Sequence, residues 1–301
     1  MRHLFVMNPA AGKSDRTAEL SFAVNSLCRG RGLDYQIRIS RKPGDCAAFT
    51  EEAARSGEET RVYACGGDGT LNEAVRGAAG AEHVAVTNYP CGSGNDFIKN
   101  FDDPDAFRKL ENLLDAEETL LDLIQVGDAY SLSICSIGFD ARIGTEIARY
   151  KRLPLVSGKG AYTLSILANL IKGVHRHYVV EVGGERIDSR FSMICVCNGR
   201  FYGSGFQPVP EAKLDDGKLE VLLVNRVSRL QVAGLVGKYK EGRWADYPNL
   251  FRHFTDNRVV IHCDGEEVVN LDGEAIRGKD VEIRLSDRKL RFFYPRITKL
   301  S

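Results

Sequence analysis

Four short segments hold residue types suited to handling a phosphate chain and a hydroxyl acceptor. The first is Asn8-Pro9-Ala10-Ala11-Gly12-Lys13-Ser14. A small-residue turn that feeds a helix start presents backbone N–H groups and the positive end of a helix dipole to an anion. It ends like a P-loop, but Met7 stands where the Walker pattern needs glycine, and a plain helix cap is the alternative. The second is Gly66-Gly67-Asp68-Gly69-Thr70-Leu71-Asn72-Glu73, whose three glycines let backbone approach phosphates closely. Asp68 would repel a phosphate and makes sense beside a Mg²⁺ that bridges phosphates. Asn72 stands where GxGxxG has its last glycine, which disfavours a dinucleotide-binding turn. The third is Pro90-Cys91-Gly92-Ser93-Gly94-Asn95-Asp96-Phe97, with the Ser93 hydroxyl suited to a phosphate oxygen and Asn95 and Asp96 as candidate caps of the next helix. The fourth, Asn270-Leu271-Asp272-Gly273-Glu274, offers two carboxylates, either of which could take the proton of an acceptor hydroxyl. Alone, that triplet is as good a hairpin turn, and Asp264-Gly265-Glu266 nearly copies it.

The elements that must position these turns follow from periodicity. Leu4–Met7, Tyr35–Ile39, Arg61–Cys65 and Val84–Val86 read as strands. Helices between them start at Ser14 as a cap, after Gly44, and at Leu71. Such alternation predicts a parallel sheet with helices on both faces, and ligands of open α/β sheets bind at the carboxyl ends of the strands, where the first three turns fall. After about Leu120 strand-like runs dominate: Tyr130–Ile137, Tyr178–Val182, Phe191–Val196, Leu219–Val224, Val259–His262, Val281–Leu285 and Leu290–Phe293. Helical patterns interrupt them near Gly160–Lys172 and Ser228–Lys238. The fold class expected is α/β plus all-β, with a β-sandwich as the second domain. The boundaries are 1–125, completed by 290–301, and 126–289.

Composition narrows the function. Lys plus Arg and Asp plus Glu both number 41, so the net charge is zero. That argues against nucleic acid as a partner and against purely electrostatic membrane attachment, because both rest on an excess of cations. No apolar run nears the roughly 20 residues that span a bilayer, and a cytoplasmic protein is expected. The eight cysteines include no CxxC pair, which points to buried thiols rather than zinc.

Together, Asn8-Pro9-x-x-Gly12-Lys13, Gly66-Gly67-Asp68-Gly69-Thr70-Leu71-Asn72-Glu73, Gly92-Ser93-Gly94-Asn95-Asp96-Phe97 and Leu271-Asp272-Gly273-Glu274 resemble the diacylglycerol kinase and sphingosine kinase family, in its bacterial lipid-kinase branch. Ser136-Ile137-Gly138-Phe139-Asp140-Ala141, Gly160-Ala161-Tyr162, Asn198-Gly199 with Tyr202-Gly203-Ser204-Gly205, and Pro210 through Leu219 extend the likeness over nearly the whole chain. The resemblance implies a phosphofructokinase-like α/β nucleotide domain and a β-sandwich lipid domain, with ATP in the cleft between them. It implies that Asn8, Pro9, Ala10, Ala11, Gly12, Lys13, Ser40, Gly66, Gly67, Asp68, Gly69, Thr70, Leu71, Asn72 and Ser93 line the nucleotide. Asp68 would act with Mg²⁺, Asn95 would belong to the same turn, and Asp96 and Asp122 would support that network. Asp272 or Glu274 would be the general base. A structural Mg²⁺ loop would use a side-chain oxygen of Asp216 and the carbonyls of Lys213 and Lys218. The acceptor would be a lipid alcohol, met at a membrane surface transiently and peripherally. Residues 149–155 mix basic and apolar types suited to that surface, and the apolar helix face at Tyr162, Leu164, Ile166, Leu167, Leu170 and Ile171 would line an acyl channel or pack a core. A homodimer is an admissible assembly. An NAD kinase shares the Gly-Gly-Asp-Gly-Thr turn and is the alternative enzyme; a non-catalytic nucleotide- or lipid-binding regulator is the alternative outside catalysis.

Overall fold

In the computed structural model the chain divides into two units, and residues 1–92, 94–151, 165, 168–169, 173–203 and 205–301 are described. The side chains of residues 145 and 147–151 fall outside that description. Unit one takes Met1–Leu123, Tyr130–Leu132 and Ser286–Ser301; unit two takes Ile124–Ala129 and Ser133–Leu285.

Unit one is built from β1 (Arg2–Met7), α1 (Thr17–Gly30), β2 (Asp34–Ile39), α2 (Asp45–Ser56), β3 (Thr60–Gly66), α3 (Asp68–Ala78), β4 (Val84–Pro90), α4 (Leu110–Leu114), β5 (Glu117–Leu121) and the strand β15 (Leu290–Tyr294) near the C-terminal end. The sheet order is β2-β1-β3-β4-β15-β5, parallel through β15 and antiparallel at β5. Its central strands are buried on both faces and are near-continuous apolar runs for that reason. Phe292 and Phe293 of β15 sit in this core against Phe97, Phe101, Phe107 and Tyr63. Helix α1 begins at Thr17, so Ser14 does not cap it; the Asp15 carboxylate accepts the Thr17 N–H at 2.8 Å instead. Helix α2 ends at Gly57, whose φ of 71° is the left-handed conformation that glycine adopts without strain.

Unit two holds β6 (Ile124–Val126), β8 (Ile134–Gly138), α5 (Phe139–Lys151), β9 (Arg176–Val182), β10 (Glu185–Cys197), β11 (Leu219–Asn225), α6 (Arg229–Lys240), β12 (Phe251–Asp256), β13 (Arg258–Leu271) and β14 (Glu274–Leu285), with the short β7 (Ala129–Ser131) straddling the boundary, Ala129 in unit two and the rest in unit one. Its pairings are antiparallel, with β10 and β13 long enough to flank both β8 and β9. Alternation along β10 and β11 splits two cores. Ile194, Val196, Val221 and Leu223 face one, while Met193, Cys195, Leu222 and Val224 face the other, to which Val232 and Tyr239 of α6 belong. Helix α6 starts at a capping box in which Ser228 Oγ accepts the Gln231 N–H and Gln231 Oε1 accepts the Ser228 N–H. The helix expected at Gly160–Lys172 lies almost wholly outside the described residues. All eight cysteines are free, seven of them buried. Among the described residues no helix is long and apolar enough to cross a membrane.

Candidate active site

Parallel pairing sets β1, β3 and β4 side by side, with Met7 opposite Cys65 and Gly66 opposite Pro90. The first three glycine-containing turns therefore leave one sheet edge together, and hydrogen bonds join them. Asn8 donates Nδ2 to Thr70 Oγ1 at 3.0 Å, and its Oδ1 accepts the Ala10 N–H at 3.0 Å. The Cys91 N–H reaches the Gly66 carbonyl at 2.9 Å, and the Asp68 N–H reaches the Gly94 carbonyl at 3.2 Å. A Cβ on Gly92 would stand 2.5 Å from the Gly67 Cα, so the second and third turns touch backbone to backbone. Glycine at those positions is explained by this packing before any ligand is considered.

The carboxylate of Asp68 has a job that sequence reasoning missed. It accepts the Asp96 N–H at 2.8 and 3.0 Å and the Phe97 N–H at 3.1 Å, capping the short 3₁₀ turn Phe97–Asn100. Asp96 was read as a candidate cap, yet its own side chain makes no cap bond; its carboxylate is buried and paired with Lys99. A metal at Asp68 would share oxygens that already hold two amides. Glu73 is also occupied, accepting the Gly44 and Cys46 N–H groups at 3.0 and 3.1 Å at the start of α2. Asp122 is buried and pairs with Lys289 at 2.8 Å.

What remains for an anion is the start of α3. Its N-cap, Gly67, supplies no side-chain cap, and Gly69 has nothing within 4 Å of a would-be Cβ. Asn72, one turn on, is 3% exposed, and neither Oδ1 nor Nδ2 has a hydrogen-bond partner; Asn95 Oδ1 likewise has none. The Asp68, Thr70 and Leu71 N–H groups are taken by the Gly94 and Gly67 carbonyls, so it is the open backbone at Gly69 and the orphaned amide atoms of Asn72 and Asn95 that fit a polyphosphate with its hydrating water. Leu71, by contrast, points into the core at 2% exposure, so only its backbone is placed to meet a ligand. Ser40 is buried at the end of β2 with its N–H on the Met7 carbonyl at 2.9 Å, while Ala10, Gly12 and Lys13 are exposed. Ser93 lies outside the described residues, as do most of 149–155 and the apolar face from Tyr162 to Ile171.

In unit two Leu271 pairs with Glu274, making Asp272-Gly273 a two-residue hairpin turn with φ 47° and 96°. Among the described residues Asp272 alone, glycines aside, has positive φ. Its Oδ2 and Oδ1 accept the Ser133 and Ile134 N–H groups, both at 2.9 Å, and its own N–H reaches the Ile134 carbonyl at 3.1 Å. The buried Asn270 closes the turn by accepting the Gly273 N–H at 3.0 Å. Asp272 is thus held rigidly, whereas Glu274 starts β14 half-buried. The near-copy Asp264-Gly265-Glu266 is no turn; it is an irregularity inside β13. In the turn proposed to hold a second ion, Asp216 Oδ1 accepts the Lys218 N–H at 3.1 Å around Gly217 at φ 73°. One carboxylate with carbonyl oxygens suits a hard cation that keeps waters.

Unit two also contains an apolar cavity of about 100 Å³, lined by residues that include Phe139, Ile143, Met193, Val232, Val236 and Phe251. Its polar wall is Asp140, Ser192 and Tyr239. Burial pushes the Asp140 carboxyl up from its ordinary value, against hydrogen bonds from Ser136 and Tyr202. Tyr202 and Tyr239 bond each other at 2.9 Å.

Comparison with known proteins agrees along the whole chain. Residues 2–126 match the diacylglycerol kinase catalytic domain family, and residues 133–293 match the YegS C-terminal NAD kinase beta sandwich-like domain family. The protein named "Probable lipid kinase YegS" of Shigella boydii serotype 18 is 30% identical over 304 residues, covering 97% of this chain and 95% of that one. The "Probable lipid kinase YegS-like" protein of Pseudomonas fluorescens is 28% identical over 94% of this chain and 93% of its own. A crystal structure of a diacylglycerol kinase from Bacillus anthracis str. Sterne superposes with TM-score 0.71 at 19% identity, covering 98% and 97% of the two chains, which shows a shared fold.

Proposed function

The chain belongs to the YegS-type lipid kinase family, and on that premise we propose that it transfers the γ-phosphoryl group of ATP, with Mg²⁺, to the hydroxyl of a lipid such as diacylglycerol. The observation that carries this reading is the joining of three turns at one edge of the unit-one sheet, with the backbone at Gly69 in the first turn of α3 left open for a phosphate chain. Phosphoryl transfer needs positioning and electrostatic stabilisation more than covalent chemistry. Asn8 and Thr70 fix two turns against each other, and the Gly69 backbone gives the phosphates close approach. Mg²⁺, held by the phosphates and an Asp68 oxygen, would neutralise charge developing on the transferred group. The Asp216 loop would hold a second ion in a structural role.

Asp272 is the better general base of the two acidic candidates. Two amides fix the direction of its carboxylate, the positioning that a general base needs. The apolar cavity of unit two suits an acyl chain, and Asp140, Ser192 and Tyr239 on its polar wall suit a lipid oxygen.

The test is direct. Purified protein, γ-labelled ATP and Mg²⁺ are offered diacylglycerol, a sphingoid base, a polyprenol, phosphatidylglycerol and NAD. One labelled lipid is expected. Labelled NADP in its place would show an NAD kinase, an outcome worth including because the second domain family is NAD kinase-like in fold. No labelled product from any acceptor would leave a non-catalytic binder.

A further inference from the structure

Helix α6 is apolar on both sides. Val232, Leu235 and Tyr239 face the interior, yet Leu230 on the opposite side is 89% exposed, followed by Ala233, Gly234 and Gly237 without a charge between Leu230 and Gly237. An exposed leucine on a strip of small uncharged residues is apolar surface that another surface can cover. Cations bracket this one: Arg226 and Arg229 before it, Lys238 and Lys240 at its end, with no acidic residue from 226 to 240. Four cations in fifteen residues of a chain whose net charge is zero is a local excess that complements an anionic surface.

We infer that α6 docks on an anionic bilayer, its small apolar outer face in the interface and its terminal cations on lipid headgroups. An interfacial helix of this kind lies in the membrane plane and buries its apolar face to the acyl boundary. The position is coherent with the cavity, since Val236 lines it and is also 38% exposed, so that cavity wall and outer surface meet on this helix. That link rests on reading the cavity as the acyl site; the docking itself rests on α6 alone. The sequence pointed to residues 149–155 for membrane contact, and α6 is a separate surface.

The experiment is vesicle flotation of the full chain without nucleotide, comparing phosphatidylcholine vesicles with vesicles that also contain phosphatidylglycerol. The protein floats with the second and not the first, and salt weakens the binding. Each of Lys238→Glu and Lys240→Glu lowers affinity about fivefold or more. Leu230→Glu abolishes flotation yet leaves the unfolding midpoint unchanged, because the side chain is exposed. Equal flotation of wild type and variants, binding to phosphatidylcholine alone, or no binding by wild type overturns the inference. So does self-association that Leu230→Glu abolishes, which would make the cover a second copy. The kinase reading is scored separately with a water-soluble short-chain diacylglycerol. Leu230→Glu retains that transfer and loses transfer to long-chain acceptor in vesicles. A wild type that floats but transfers to neither overturns the kinase proposal and leaves the docking standing.

Discussion

The two acidic residues with the strongest claim to chemistry are both hydrogen-bond acceptors for backbone, and that changes how their substitution must be read. Removing the Asp68 carboxylate strands the amides of Asp96 and Phe97, both residues being 3% exposed or less. Asp68→Ala is expected to cost about 2–3 kcal/mol, seen as a lower urea midpoint with unchanged slope. Asp68→Asn keeps one acceptor oxygen, so it loses much less stability while losing transfer; equal destabilisation by both variants would count against the cap. Asp272→Asn is less clean than it looks. Asn tolerates φ 47°, but its NH₂ would meet the Ser133 or the Ile134 N–H donor-to-donor. It should abolish transfer and also lower stability by about 1–3 kcal/mol, whereas Glu274→Gln leaves the unfolding midpoint in place. Retained turnover in Asp272→Asn would remove Asp272 as the base.

At the scale of elements, the start of α3 is where folding and binding can be separated. Gly69 has negative φ and open space around its would-be Cβ, so Gly69→Ala should be neutral or stabilising by about 0.5–1 kcal/mol. If phosphates lie against that backbone, the added methyl blocks them, and calorimetric titration shows ATP affinity falling at least tenfold. Gly12→Ala is the control of opposite sign. At φ 85°, with its Cβ 2.5 Å from the Cys91 carbonyl, it is destabilised by about 1–2 kcal/mol or more. An unchanged ATP affinity in Gly69→Ala would move the phosphates elsewhere. The same elements show what the sequence made legible. Periodicity placed β1, β3, β4 and the three turns that leave them, because strands buried on both faces and glycine turns announce themselves locally. It shortened β13 and β14, since long strands that flank several partners carry exposed polar residues along half their length. It missed Asp15 and Asp68 as caps for the same reason in opposite directions. The pattern favours the serine nearest a helix or the acid next to a turn, while the acceptors actually used are one position away and twenty-eight residues away.

The whole molecule has two units with separate cores, and acid should act on them differently. In unit one His3 is 2% exposed, its Nδ1 2.8 Å from the Tyr63 hydroxyl. Burial first, then Arg61 and the chain's N-terminal charge, lower its pKa to about 4. The folded state therefore prefers neutral His3. That contribution is whole above pH 6.5, the unfolded value, and is lost as pH falls toward 4, about 2–3 kcal/mol in all. In unit two the half-buried His177 lies between Asp188 at 2.7 Å and Asp264 at 3.0 Å, which raise its pKa. Its contribution is complete below 6.5 and fades only as pH rises through the raised value. Acidification from pH 7.5 to 5 thus weakens unit one more than unit two, where the lowered pKa of the half-buried His175 works against His177. The single tryptophan, Trp244, belongs to unit two, so its fluorescence follows that unit. Calorimetry at pH 5 should show a transition moved to lower temperature that Trp244 emission does not follow. In His3→Gln, which can still bond the Tyr63 hydroxyl but cannot titrate, that transition starts lower at pH 7.5 and stays put on acidification. A shift shared by both probes, or one that survives in His3→Gln, would mean that the acid response belongs to other groups and that the two cores do not melt apart.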